Sequence, residues 1–251
     1  MILAIARREF AMLFRSPLPW LLLGIAQLIA GWWFLSLVDR YETVYKPEVE
    51  AASLPMGVTE LIFMPYFGSE VVLGTVVVMA AVLAMRMIAE ERRSGRIRLL
   101  DSAPVRVSEW VLGKYLAMVG VLLVLVAALM VLPLSLFMGA EPDAWRLAAA
   151  ALALVLFAMA VAAAGLFASA LTVQPPVALA LTLGFVLGLR GIDLVADQQD
   201  PLTAYLALLP HYEALVQGEV GTVSVVYFLL IAIGFTGLTI QRMDGRRLRG
   251  D

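Results

Sequence analysis

Six long apolar runs dominate the sequence and limit the folds that it can adopt. They cover Leu18–Val38, Tyr66–Ile88, Trp110–Met138, Leu147–Leu171, Val177–Val195 and Val223–Ile240. A hydrocarbon core of about 30 Å is crossed by about 20 helical residues, so each run is long enough to be a transmembrane helix. Only 15% of the 251 residues are charged, which is too few for a soluble domain of this size. The sequence therefore predicts an all-α integral membrane protein with six transmembrane helices in one domain, residues 1–251.

The basic residues predict the orientation of the chain in the membrane. Fourteen of the 18 Lys and Arg residues lie in three segments: residues 1–16, 86–114 and 242–251. The intervening segments instead hold most of the acidic residues. Because Lys and Arg are retained on the cytoplasmic side during insertion, both termini are predicted to be cytoplasmic. The first apolar run is too long for a cleaved signal sequence, and no small-residue cleavage site follows it.

The segment after the second run, residues 89–108, has an order of residues that a topology signal alone does not require. Helix formers continue to Arg93, and Ser94-Gly95 is a typical helix stop. Residues 96–102 then alternate apolar and charged side chains, which predicts a short amphipathic helix that ends before Pro104. Ser108 is predicted to cap the next helix, with Glu109 in its first turn. The simpler alternative is a basic loop that only sets topology.

The N-terminal segment, residues 1–16, is predicted to be an amphipathic helix at the membrane interface. Its apolar stripe has helical spacing and consists of Leu3, Ala6, Phe10, Leu13 and Phe14. A simple membrane anchor is an equally good interpretation of this segment by itself.

Two motifs resemble those of a known family. EERRSGRIRLLDSAPV at residues 90–105 is followed by VLGK at 111–114, and HYEALVQG stands at 211–218. Their order and spacing resemble the permease subunits of type 2 ABC exporters, especially the branch with gliding-motility and copper-nitrous-oxide-reductase maturation permeases. Arg96 and Arg98 stand where that branch usually has threonine and glutamate, and Asp101 replaces an apolar residue. With the six runs, the resemblance covers essentially the whole chain.

The resemblance implies a non-catalytic permease in the bacterial cytoplasmic membrane. Such a subunit pairs with a second permease copy or homologue and with cytosolic ATPase subunits, which bind ATP and Mg. The short helix near residues 96–102 would be the coupling helix that rests on the ATPase. The residues expected to take part in coupling are Glu90, Glu91, Arg92, Arg93, Gly95, Ile97, Leu99, Leu100, Asp101 and Pro104.

The chain itself lacks the residues for ATP hydrolysis, because no G-x-x-x-x-G-K-[ST] pattern occurs in it. No cofactor or metal is expected in this chain. His211, its only histidine, lies on the predicted outer side, which disfavours an intramembrane hydrolase. A secondary transporter usually needs ionisable groups near mid-membrane, and these are scarce here. Three alternatives stay open: an ABC module that transmits force to a periplasmic partner, a secondary transporter and a membrane scaffold. The substrate cannot be read from the sequence.

The predicted outer side carries a second group of candidate residues. Arg190 and Asp193 are three residues apart on the fifth run, a spacing that favours an ion pair. Residues 196–221 form an external loop whose apolar stretch YLALLPHYEALV is too short to span and is predicted to break at Pro210, as a re-entrant hairpin. In the resembled family this region closes the outer mouth. The candidate residues for the mouth or gate are Glu70, Arg190, Asp193, His211, Tyr212 and Glu213.

Small residues at four-residue spacing predict close helix packing. In the fourth run, Ala158 with Ala162 and Gly165 with Ser169 are predicted to pack within the chain. In the fifth run, the family resemblance places the pair Gly184 and Gly188 near the interface of a permease dimer.

Overall fold

The computed structural model describes residues 1–46, 57–95, 105–139, 142–195 and 206–249. The main helices are α1 (Ile2–Arg15), α2 (Pro17–Arg40), α3 (Glu70–Ala84), α4 (Val107–Ser135), α5 (Ala144–Leu171), α6 (Pro175–Val195), α7 (Leu208–Val216) and α8 (Thr222–Arg249). Turns of π-helix at Tyr41–Tyr45, Thr59–Phe63 and Met85–Ala89 extend α2 and flank α3. Within these ranges the chain forms no β-strand, which confirms the all-α prediction.

Five helical stretches in the described residues are long and apolar enough to cross a membrane. They are Pro17–Tyr45, Thr59–Arg93, Val107–Met138, Ala144–Leu171 and Thr222–Arg246. The fifth predicted run forms α6, whose apolar part, Pro175–Gly191, is shorter than these five. A sixth crossing by α6 therefore stays a prediction.

Helix α5 lies at the centre of the bundle and packs against α3, α4, α6, α7 and α8. Its alanine-rich sequence allows these neighbours to approach closely. A Cβ on Gly165 would lie 3.0 Å from Ala84 Cβ, 3.2 Å from Thr182 Cγ2 and 3.3 Å from Met118 Cε. Three other helical segments thus meet at one glycine, and Ser169 one turn later is fully buried. The predicted intrachain packing of the fourth run is confirmed.

Helix α1 packs along the first half of α4. Ala6 and Leu13 are buried there and Phe10 is partly buried, whereas Leu3 is 77% exposed. Gly113 makes the close approach possible, because a Cβ there would lie 2.6 Å from Ile5 Cγ2. Most of the predicted apolar stripe therefore faces the protein; the position of α1 at a membrane interface stays a prediction.

Two local predictions are wrong. Helix α4 is capped by Arg106, not Ser108, because the Glu109 carboxylate accepts the Arg106 N–H (3.4 Å) and the helix already begins at Val107. Pro210 does not break the outer segment either, since it lies in the first turn of α7. A proline is tolerated there because first-turn N–H groups have no acceptor within the helix. The hairpin itself involves residues 196–205, which lie outside the described residues.

Candidate functional site

A buried ion cluster joins three segments at the basic end of the bundle. Lys114 of α4 is fully buried, and its Nζ lies 2.8 Å from Glu91 Oε1 and 3.3 Å from Glu9 Oε2. Glu9 belongs to α1, and Glu91 lies in the last turn after α3. A buried ammonium group is stable only when it is paired and hydrogen-bonded. The Lys114 cluster (Glu9, Glu91 and Lys114) therefore ties α1, the end of the second span and the start of the third into one unit.

The end of the second span departs from regular α-helix just before this cluster. The π-helical turn Met85–Ala89 leads into the short helix Glu90–Arg93. Ser169 of α5 compensates for the irregularity, since its Oγ accepts the N–H groups of Ile88 (3.1 Å) and Ala89 (3.0 Å). Single π-helical turns often occur at functional sites. Here the turn stands directly before Glu90 and Glu91 in the chain.

The charged residues of the EERR motif take separate partners. Glu90 pairs with Arg86, whose Nη1 also donates to Ser16 Oγ (3.0 Å). Arg92 donates to the carbonyl oxygens of Ala170 (2.8 Å) and Thr172 (3.2 Å), and so caps the end of α5. Arg93 is exposed. The adjacent glutamates thus form ion pairs on different helix faces, as the sequence predicts.

The predicted coupling segment begins and ends at well-defined points. Gly95 has a φ of +72°, the left-handed conformation expected of a helix-stop glycine, and α4 begins at Val107. Between them, Ile97, Leu99, Leu100, Asp101 and Pro104 lie outside the described residues. The coupling helix therefore stays a prediction, although the Lys114 cluster links the helix ends on both sides of it.

At the other end of the bundle, the structure brings Glu70, Arg190 and Asp193 together. Arg190 of α6 contacts the carboxylate of Glu70, and its Nη1 lies 3.8 Å from Asp193 Oδ2. Asp193 Oδ1 also accepts the N–H groups of Leu208 (2.6 Å) and Leu209. One aspartate therefore caps α7, and the three side chains connect α3, α6 and α7. The predicted ion pair between Arg190 and Asp193 is confirmed.

The HYEALVQG motif forms most of α7 and its end. Tyr212 is fully buried and donates to the Phe67 carbonyl (2.9 Å), and burial raises the pKa of its hydroxyl. His211 stacks on Tyr227, with ring centroids 4.4 Å apart, and lies 3.3 Å from Ser224 Oγ. Glu213 is exposed. Gly218 has a φ of +91°, which explains the glycine at the end of the motif.

The glycine pair of α6 makes no close contact within the described part of the chain. A Cβ on Gly184 or Gly188 would meet no heavy atom within 4 Å, and Leu187 between them is 69% exposed. This face of α6 is therefore turned away from the bundle, unlike the glycine face of α5.

The sequence pattern of the family described as "ABC-2 family transporter protein" matches residues 3–209. The chain belongs to the ABC-2 transporter family. It is therefore a multi-pass transmembrane component of an ABC transporter, a type of permease subunit that works with cytosolic ATPase subunits. No curated protein matches the chain. The match includes both the Lys114 cluster and the residues around Arg190.

The ABC-2 chain also contains long-range ion pairs that sequence reasoning does not find. Lys114 belongs to the VLGK motif, but its pairing with Glu9 joins residues more than a hundred positions apart. The outer contact between Arg146 and Glu60 (2.5 Å) joins residues 86 positions apart. For the pairing of Lys114 with Glu9, the one indication in the sequence is a lysine that directly follows a glycine near the start of an apolar run.

Proposed function

We propose that this ABC-2 protein is an exporter permease that couples ATP hydrolysis in cytosolic partners to transport of a substrate whose identity is open. In this proposal ATP and Mg bind to the ATPase subunits, and the segment around residues 96–104 docks on them. Both termini lie in the cytoplasm, the membrane is the bacterial inner membrane, and α6 is the sixth span. The resemblance of both motifs to the gliding-motility and nitrous-oxide-reductase maturation branch supports this reading.

The observation that carries the proposal is the buried pairing of Lys114 with Glu9 and Glu91. A force applied to the segment between Gly95 and Val107 acts on two helix ends that this cluster holds together. Because buried ion pairs with short contacts resist separation, the ends of the second and third spans and α1 would move as one body. That behaviour suits a coupling element better than a topology signal, which needs no fixed connection.

At the outer end, Glu70, Arg190 and Asp193 are proposed to hold the mouth closed. Arg190 links α6 to α3, and Asp193 fixes the start of α7 through two backbone N–H groups. Movement of α3, transmitted from the basic end, would break the exposed contact with Glu70 first. The open face at Gly184 and Gly188 suits contact with a second permease copy or homologue.

The test is co-purification of an ATP-binding-cassette subunit with the tagged full chain from its native host. The double variant I97D/L100D places two carboxylates on the apolar side of the proposed docking helix. We expect it to release the ATPase, because burying unpaired carboxylates in a contact surface is costly. Val220→Asp is the matched control, since Val220 is an exposed apolar residue at the opposite end.

Retention of the ATPase and of its normal turnover in I97D/L100D would refute the proposed docking role. Loss of the ATPase in both variants would indicate general misfolding, which the melting temperature of each purified chain checks separately. A complex with a stable periplasmic partner and no substrate-stimulated ATPase activity would instead favour the force-transmitting alternative.

A further inference from the structure

A cleft of about 480 Å3 opens at the basic end of the bundle, between α5, α8 and the last turn of the second span. Three arginines line it, Arg92, Arg242 and Arg246, and no described residue of its lining is acidic. Its volume falls within the range of about 300 to 1,000 Å3 that is typical of small-molecule sites. The electrostatics of the cleft therefore favour an anionic group.

One wall of the same cleft is apolar. Phe167 and Leu171 of α5 and Leu238 of α8 form it, and Leu238 is 46% exposed. On α8, Leu238, Arg242 and Arg246 are four residues apart and share one helix face. The face therefore changes from apolar to basic along the axis of a helix that is long enough to cross the membrane.

Arg92 is fixed in position at the inner side of the cleft. Its Nη1 binds two carbonyl oxygens at the end of α5, Ala170 and Thr172. The charge is thus held in place by the fold, while Arg242 is exposed at the rim. A fixed charge loses little conformational entropy when an anion binds.

We propose that this cleft binds the phosphate headgroup of an anionic phospholipid, with an acyl chain along Leu238 and Phe167. Arginine guanidinium groups bind phosphate oxygens through paired, charge-assisted hydrogen bonds. Free phosphate would leave the apolar wall uncovered, whereas an amphiphile uses both parts of the cleft. The proposal rests on the proposed orientation, which puts the cleft in the cytoplasmic leaflet, where anionic lipids attract basic segments.

The test uses the full chain, with any ATPase that co-purifies, in phosphatidylcholine nanodiscs with increasing phosphatidylglycerol. Native mass spectrometry measures the retained lipid, and inorganic phosphate in millimolar excess is the competing probe. The variant R242Q/R246Q removes two of the three charges. Since each arginine near the surface contributes about five-fold to anionic-lipid binding, we expect about a 25-fold loss of phosphatidylglycerol affinity.

The matched control is R7Q/R8Q, which removes two exposed arginines from α1 at the same end of the bundle. It is expected to lower the affinity less than R242Q/R246Q does, because these two arginines lie outside the cleft. Equal affinity in the wild type and R242Q/R246Q, or an equal loss in R7Q/R8Q, would overturn the proposal. Displacement of the lipid by inorganic phosphate would overturn it too, because the site would then be one for the free ion.

Loss of the ATPase subunits from R242Q/R246Q with unchanged lipid affinity would also overturn it and assign the cleft to a protein contact. The lipid measurement can be repeated on the chain without ATPase. A failure of the proposed coupling function is thereby distinguished from a failure of the lipid site.

Discussion

Replacing the buried lysine of the Lys114 cluster tests how strongly α1 is held to the bundle. Lys114→Met keeps most of the side-chain volume but removes the charge between Glu9 and Glu91. The two carboxylates then face each other without a cation, in a site where their side chains are only 14% and 21% exposed. Breaking a buried ion pair in this way costs about 3 to 5 kcal/mol. Because both carboxylates are partly exposed to water, we expect the free energy of unfolding to fall by about 3 kcal/mol.

Two measurements check this expectation. The free energy of unfolding in mixed micelles gives the total loss. A local readout comes from Ala6→Cys, because the chain has no cysteine and Ala6 is buried on the face of α1 that packs against the bundle. The thiol should be protected from maleimide in the otherwise wild-type protein and become reactive when Lys114→Met is added.

The control for this experiment is Lys46→Met, which removes an exposed lysine from its pair with Glu42. An exposed pair is worth less than about 1 kcal/mol, so this variant should be nearly silent. The triple variant K114M/E9Q/E91Q removes all three charges and should recover at least about 1 kcal/mol relative to Lys114→Met, since no carboxylate is left unpaired. Wild-type stability and a protected thiol in Lys114→Met would refute the structural role of the cluster.

Two further predictions concern the bundle centre and the outer end. Gly165→Ala should destabilise the protein by about 1 to 3 kcal/mol, because the added methyl group overpacks the bundle centre. Gly24→Ala should be neutral or slightly stabilising, since no heavy atom lies within 4 Å of its Cβ position. Equal melting temperatures of the two variants would contradict this prediction. Arg190→Gln should leave the fold intact but raise the rate at which maleimide labels the buried Ala207→Cys about five-fold. The variant removes the ion pair of Arg190 with Glu70, which is worth about 1 kcal/mol because solvent screens the exposed carboxylate. Arg40→Gln is the control, and an unchanged labelling rate in Arg190→Gln would exclude the proposed gate.

The residues around Arg190 show which contacts can be predicted from the sequence and which cannot. The i, i+3 spacing was sufficient to predict the pair Arg190 and Asp193, because both lie on one helix. It does not predict that Asp193 caps α7, since those contacts join residues 15 and 16 positions apart on two different helices. The predicted break at Pro210 failed for a related reason: the effect of a proline depends on where the helix starts, and Asp193 supplies the start.

Hydropathy and charge by themselves determined that the chain is a helical membrane protein. An apolar run of that length lies in lipid, where a helix satisfies all of its backbone hydrogen bonds within the segment. Residue order determined the helix stop at Gly95 and the packing face of α5, because both follow from local backbone geometry and side-chain size. Only the tertiary structure decided which charges meet. Three features join segments that are distant in sequence: the pairing of Lys114 with Glu9, the capping of α5 by Arg92 and the group of arginines in one cleft. A local pattern of residues cannot predict such contacts, because it contains no information on which distant segments meet.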